Sequence, residues 1–203
     1  MVNMVELKLF NRWSFEGILI KDSGLKPYIN LKPAVIPRSA GRFSQQKFHK
    51  SKMNIVERLV NKLMVPGHRG KKHLLTSGRN TGKTQTILNI VKEVFENLEK
   101  KTGKNPIETL VGAIENAALR EEITSYQMGG IMVRKAVVTS PQRRVDLALT
   151  VITQSAYRKA FGKKSSMVDA LTDEIFFAYN NDASKSEAIK EKDRIEREAS
   201  GAR

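Results

Sequence analysis

From Asn54 to the C-terminus, apolar residues return every three or four positions, except in a basic loop from Gly67 to about Lys83 and in one β-rich stretch. Val56, Leu59, Val60, Leu63 and Met64 mark one helical face, ended by Pro66-Gly67. Ile87, Leu88, Val91, Val94, Phe95 and Leu98 mark the next, ended by Gly103. Asn105-Pro106 reads as N-cap and first helical position, with Glu108 placed for a capping box and Ile107, Leu110, Val111 and Ile114 facing inward. Ser140-Pro141 restarts helix, striped by Val145, Ala148, Leu149, Ile152 and Ala156 and closed by Gly162. Met167, Val168, Leu171, Ile175 and Phe176 form a further stripe. Ser184 with Glu187 reads as a capping box opening a last, charged helix from about Lys185 to Glu198. Its apolar positions are sparse, so it is expected to be exposed or docked on a partner.

The second departure is Glu122 to Thr139, rich in β-branched residues and split by Gly129-Gly130. Two arms about a Gly-Gly pair read as a β-hairpin. Arms of about eight residues would reach roughly 25 Å. Their apolar alternation is poor, so the ribbon is expected to protrude and to need a partner surface. Residues 1–53 differ again. They hold ten Lys or Arg against Glu6, Glu16 and Asp22, and are broken by Pro27, Pro33, Pro37 and Gly41. This predicts an irregular basic extension with at most a short strand around Glu16–Ile20. The expected fold class is therefore mainly α. It is a bundle of about six helices over residues 54–203, with a ribbon at about 122–139 and the extension at 1–53.

Composition narrows the function. The 203 residues contain no cysteine, so there is no disulfide framework, thiolate zinc site or Cys nucleophile. Three histidines make a His-rich metal site a poor reading, and no cofactor is expected. A chain of this length buries roughly 70% of its unfolded surface, enough for one core. No apolar run approaches a membrane span, and the N-terminus is not a signal peptide, so a soluble intracellular protein is expected. The net charge of +15 exceeds what solubility asks of a small domain. It points to an anionic partner: nucleic acid first, a membrane surface second.

Gly78-Arg79-Asn80-Thr81-Gly82-Lys83-Thr84 imitates a phosphate-binding P-loop but leaves three residues between the glycines where four are needed. The residues before it, Arg69 to Ser77, are basic and do not form the apolar strand that motif requires. Lys83 and Thr84 suit a backbone-phosphate contact at a helix start better. Glu121-Glu122 and Asp173-Glu174 are neighbours in sequence; on a helix they diverge, so they read as solvated helix ends. His68 and His73 lack carboxylate support for a metal. No catalytic group emerges, and no enzyme is expected.

The cations cluster. Lys47, Lys50 and Lys52 surround Phe48 and His49, and Arg69, Lys71, Lys72, Arg79 and Lys83 populate the next loop. Arg134 and Lys135 lie on the ribbon, Arg143 and Arg144 open a helix, and Arg158, Lys159, Lys163 and Lys164 surround its end. Two cations at a helix N-terminus oppose its dipole at a cost of a few tenths to about 1 kcal/mol, which argues for a bound anion. Phe48, Tyr126 and Tyr157 are the aromatics available for base stacking, although a lone aromatic is more often packing than platform. No single-strand recognition tract is present, which favours phosphate and shape readout of folded RNA.

The stretch GGIMVRKAVVTSPQRRVDLAL, Gly129 to Leu149, resembles the hairpin and Arg-Arg helix start of the small-subunit ribosomal protein seven family. VERLVNKLMVPGHRGKK, Val56 to Lys72, is similar to its first helix and basic loop, and GKNPIETLVGAIENAA, Gly103 to Ala118, to its third helix. The N-terminal extension and the ending AIKEKDRIEREASGAR resemble the archaeal and eukaryotic branch. The resemblance covers about Val56 to Arg203. It implies a structural, cytoplasmic ribosomal protein that binds the 3′ major domain of small-subunit rRNA and nucleates assembly of the subunit head. The sixteen cations named above would be its rRNA contacts. Its ribbon tip, Met128, Gly129, Gly130 and Ile131, would lie near the exit-tRNA site and the mRNA path. Its neighbours would be other head proteins and ribosomal protein eleven, with tRNA and mRNA transient partners and no membrane. A DNA-bending protein with a basic ribbon is the rival binding role, and a nucleotide-dependent enzyme using Gly78–Thr84 the rival catalytic one.

Overall fold

The computed structural model describes residues 7–69, 72–73 and 80–202. Among them are six α-helices: α1 (Ile55–Leu63), α2 (Thr84–Thr102), α3 (Pro106–Ala117), α4 (Pro141–Ala160), α5 (Met167–Tyr179) and α6 (Glu187–Ser200). A minimal antiparallel pair, β1 (His68–Arg69) and β2 (Lys72–His73), follows α1. The long hairpin is β3 (Glu121–Met128) and β4 (Ile131–Val138). The mainly helical architecture with one ribbon is the one the sequence predicts.

Helix α5 is the hub, packing against α2, α3 and α4. Leu171, Ile175 and Ala178 are wholly buried there, beside Leu110 and Ile114 of α3 and Leu149 and Ile152 of α4. Gly112 of α3 lies beneath the Tyr179 ring, where an added Cβ would come within 2.7 Å of it. The glycine is what lets α3 and α5 approach.

Starts and stops follow local chemistry. The Asn105 side chain accepts from the Ile107 N–H, and the Asn54 side chain accepts from the Val56 N–H. Gly103 ends α2 in the left-handed conformation. Strand β3 pairs with β4 from Glu121↔Val138 to Met128↔Ile131, leaving a two-residue turn of Gly129 and Gly130. Both turn residues have positive φ, 56° and 86°, which only glycine supplies readily. The ribbon's first three residues pack near α6; beyond them β3 is exposed.

Three expectations are corrected. No strand forms at Glu16–Ile20. Instead the Ser14 hydroxyl accepts from the Glu16 N–H, and Gly17 turns the chain at φ 75°. The last helix begins two residues later than expected. Ser186, not Ser184, caps it, accepting from Ile189, while Ser184 turns back to the Asp182 carboxylate. Nor does α6 stand free, since Ala188, Ile189 and Ala199 are buried against the bundle.

The N-terminal segment is irregular, as expected, but it is stitched to the body. Leu9, Trp13, Phe15, Leu25 and Ile29 join the core, with Trp13 edge-on to Phe95 at 5.7 Å. Asn30 C=O accepts from Ile55 N–H, and Asn105 Nδ2 donates to Ser14 C=O. The apolar residues of a strap need no period, because each fills a separate gap between helices.

Candidate nucleic-acid interface

The surface cations fall into three groups, all referred to α4. At its N-terminus Arg143 makes a two-pronged bond to Glu122 of β3, Nε to Oε1 at 2.6 Å and Nη2 to Oε2 at 2.7 Å. Arg144 turns inward. Its Nη2 donates to Asp22 Oδ2 at 2.8 Å and its Nε to the Leu119 carbonyl at 2.9 Å. The opposed dipole does call for anions, but the anions present are the chain's own. Arg144, only 14% exposed, is thereby a clamp between the N-terminal strap, the ribbon base and α4. Partial burial pushes the Asp22 carboxyl up, and the bonds from Arg144 and from the Gly24 and Leu25 N–H groups outweigh it, leaving it below its ordinary value.

Glu121 and Glu122 are therefore strand residues at the ribbon base, not solvated helix ends. Above them, Arg134 and Lys135 project from opposite faces of β4 and are exposed, opposite Ser125 and Thr124. Tyr126, Met128, Ile131 and Val133 share one face at the tip. Met128 and Ile131 are mostly exposed there.

At the far end of α4, Lys159 Nζ donates to Glu174 Oε2 at 2.6 Å and to the Lys185 carbonyl at 3.1 Å. Glu174 has no exposure at all. It lies mid-helix on α5, and its other oxygen accepts from the Ser186 hydroxyl and the Ala188 N–H. The sequence reading of Asp173-Glu174 as a solvated helix end is thus corrected for Glu174. Arg158 faces Glu187 at 3.6 Å. Lys163 and Lys164, past Gly162, are exposed and form no ion pair among the described residues.

The third group borders α1. Asp146 on α4 accepts from Arg58 Nη2 at 2.9 Å and from Lys50 Nζ. Arg58, 4% exposed, also donates to the Tyr28 carbonyl. Burial pushes the neighbouring Lys62 ammonium below its usual value; Asp146 opposes this, and Lys50 and Arg58 add to it. Lys47 and Lys52 are exposed, with Lys52 Nζ 3.2 Å from His49 Nε2. Arg38 and Arg42 are exposed beside this group and were not singled out by the sequence reading. Their signal was two arginines bracketing the Ser39-Ala40-Gly41 turn. The exposed Lys83, at the N-cap of α2, is next to Thr84, which lines the same cleft as Arg38, Phe48 and Lys50.

Arg69 and Lys72 oppose each other in the β1–β2 register, as do His68 and His73. Lys71 and Arg79 lie outside the described residues, as does the first part of the refused P-loop motif. Among the described residues no helix is long and apolar enough to cross a membrane. None of their His, Asp and Glu side chains gather in a group able to hold a metal.

The arrangement is a packed helical body whose exposed Arg and Lys sit at both ends of α4 and along its flank, a surface suited to polyanion backbones. Comparison with known proteins agrees. Residues 25–203 match the family model for ribosomal protein S7p/S5e, so the likeness reaches well ahead of Val56. The small ribosomal subunit protein uS7 of Nanoarchaeum equitans is 48% identical over 199 residues, covering 98% of this chain and 100% of the relative. The uS7 proteins of Archaeoglobus fulgidus and Methanococcus aeolicus are 46% and 44% identical, each over 98% of this chain and over 96% and 100% of their own lengths. With the predicted motifs in order, the ribbon in place and archaeal relatives matched end to end, this chain belongs to the ribosomal protein S7p/S5e family, in its archaeal-type branch.

Proposed function

We propose that the chain is a structural constituent of the small ribosomal subunit that binds the 3′ major domain of small-subunit rRNA and nucleates assembly of the head. The S7p/S5e family is structural and non-enzymatic. The observation that carries the RNA reading is that, of the predicted contact residues, Lys47, Arg134, Lys135, Lys163 and Lys164 are exposed and form no ion pair among the described residues. Against a net charge of +15, the internal carboxylates are committed to Arg58, Arg144 and Lys159, which leaves these outer cations for phosphate. Lys83 is likewise exposed, and Arg69 and Lys72, from the loop after α1, enter this reading on their charge alone. The ribbon tip, Met128 to Ile131, is placed in this reading near the exit-tRNA site and mRNA path. Other head proteins and ribosomal protein eleven are its neighbours, and the protein acts in the cytoplasm on the ribosome.

The test is binding of the full chain to a transcript of that rRNA domain across a salt series. Each phosphate contact contributes about 0.9 to the log–log slope on duplex DNA and about 0.7 on single strands, which brackets the expected size of the effect. Lys163→Ala with Lys164→Ala, and Arg134→Ala with Lys135→Ala, are expected to lower both affinity and slope. Arg144→Ala is expected to lower stability and leave the slope unchanged. Equal affinity for duplex DNA would instead favour the architectural DNA role, and unchanged slopes in both double variants would defeat the phosphate assignment.

A further inference from the structure

Phe48 is the largest side chain that the fold pushes out into solvent on the strap beside α1. It is 74% exposed and its backbone is left-handed, φ 63° and ψ −2°. That conformation is unfavourable for a residue with a Cβ and a ring. Nothing in the core asks for it, since the ring contributes no buried contact to the hydrophobic cluster. The local backbone holds it there: the Phe48 carbonyl accepts from both the Ser51 N–H and the Ser51 hydroxyl. Ala40, across the same cleft, is also left-handed at φ 50°. The other two aromatics with stacking potential are in different situations. Tyr157 packs on Phe161 at 5.6 Å, and Tyr126 shares an apolar ribbon face.

We propose that Phe48 is a stacking platform for one unpaired base of the bound RNA, an inference that rests on the RNA-binding reading above. The cleft beside the ring is about 560 Å³, within the size range of small-ligand pockets. The carboxamides of Gln46 and Asn61 line it; Asn61 Nδ2 donates to Met53 Sδ at 3.3 Å, leaving its oxygen, and Gln46 offers both a donor and an acceptor to a base edge. The cleft is fixed rather than loose: buried Glu57 accepts from the Ser39 N–H at 2.7 Å and from the Ser39 hydroxyl at 2.5 Å, tying the strap to α1. Charge complementarity selects a nucleotide over an apolar protein side chain. Arg38 lines the cleft, and Arg42, Lys47 and Lys52 lie within six residues of the ring along the chain, where the flanking phosphates of a stacked nucleotide would run. The platform would add a contact at one base position to an interface otherwise read by phosphates and shape.

A stacking contact differs from a phosphate contact in a measurable way, because it changes affinity without releasing counterions. The experiment uses the full chain, the rRNA-domain transcript and a salt series. Phe48→Ala and Phe48→Leu are expected to weaken binding about 5- to 150-fold with the salt slope unchanged. Phe48→Tyr is expected to retain wild-type affinity. Because the ring is outside the core, the thermal midpoint of Phe48→Ala is expected to equal that of the wild type. Wild-type affinity in Phe48→Ala, with steep salt dependence intact, overturns the platform and leaves the RNA-binding reading standing. Full affinity in Phe48→Leu, or loss of affinity in Phe48→Tyr, shows an apolar contact rather than stacking and overturns it too. A fall in midpoint that parallels the loss of binding assigns Phe48 to folding. Failure of the wild type itself to bind in a salt-dependent way removes both readings.

Discussion

Asp146 serves two cations that reach it from different parts of the chain, Lys50 from the strap and Arg58 from α1. Burial alone would raise its carboxyl, but the bonds and charges of Lys50 and Arg58 outweigh burial and hold it below the ordinary 3.8. The linkage sign follows from a folded value that lies below the unfolded one. The stabilisation is fully present above the ordinary carboxylate value and is lost as pH falls through the depressed folded value. Asp146→Asn should therefore be less stable than wild type at neutral pH, with the difference shrinking below about pH 4. Urea midpoints measured from pH 7 down to pH 2 check this, and a difference constant across that range would show that the pair does not titrate with folding. Asp22, held by Arg144, shifts stability in the same sense, so the wild type loses strap anchoring at both places in acid.

The link between α5 and α6 is made by one carboxylate. Glu174 takes the Ser186 hydroxyl and the Ala188 N–H on one oxygen and Lys159 on the other, with no water-exposed surface. Without it, the first turn of α6 loses a cap and the half-buried Lys159 loses its carboxylate partner. Breaking a fully buried pair costs about 3–5 kcal/mol, and because Lys159 is partly exposed the lower end of that range, about 3 kcal/mol, applies here. Glu174→Ala is expected to lose that much in denaturation, with α6 amides exchanging first in hydrogen exchange and α3 amides last; uniform acceleration across all helices would refute a local link. This element also marks what could be read in advance. Helices α1 to α5 announce themselves because each buries a wide stripe, and the ribbon because only Gly129-Gly130 suits its turn. Helix α6 was expected to be exposed or docked on a partner because its own apolar residues are few. The feature that docks it, Glu174, belongs to another helix and resembles a surface acid in one dimension. The strap was opaque for a related reason, as Leu9, Trp13, Phe15, Leu25 and Ile29 follow no period. In the interface, residue type identified the cations but not their partners. Arg143 and Arg144 are alike in sequence, yet one faces a ribbon carboxylate at the surface and the other is enclosed by Asp22 and Leu119 C=O.

At the scale of the molecule α4 acts as a spacer. Its 20 residues give a rod of about 30 Å, with Arg134, Lys135 and Arg143 near one end and Arg158, Lys163 and Lys164 at the other. That length exceeds the Debye length of about 8–10 Å at physiological salt, so the two ends act on phosphates independently through solvent. The rod is held rigid between them by α5, and it meets α1 through Asp146. In the proposed RNA complex, a rigid spacer with a cationic group at each end would contact two separate stretches of the folded RNA and fix the distance between them. Neutralising Lys163 and Lys164 is therefore expected to erase protection of one stretch in chemical footprinting while the other stays protected. Neutralising Arg134 and Lys135 should do the reverse. Because the second contact forms within an already tethered complex, losing either end should cost more affinity than its own few phosphate contacts would in isolation. If both double variants weaken the same nucleotides to the same degree, the ends are not separate sites and α4 does not set a distance in the RNA.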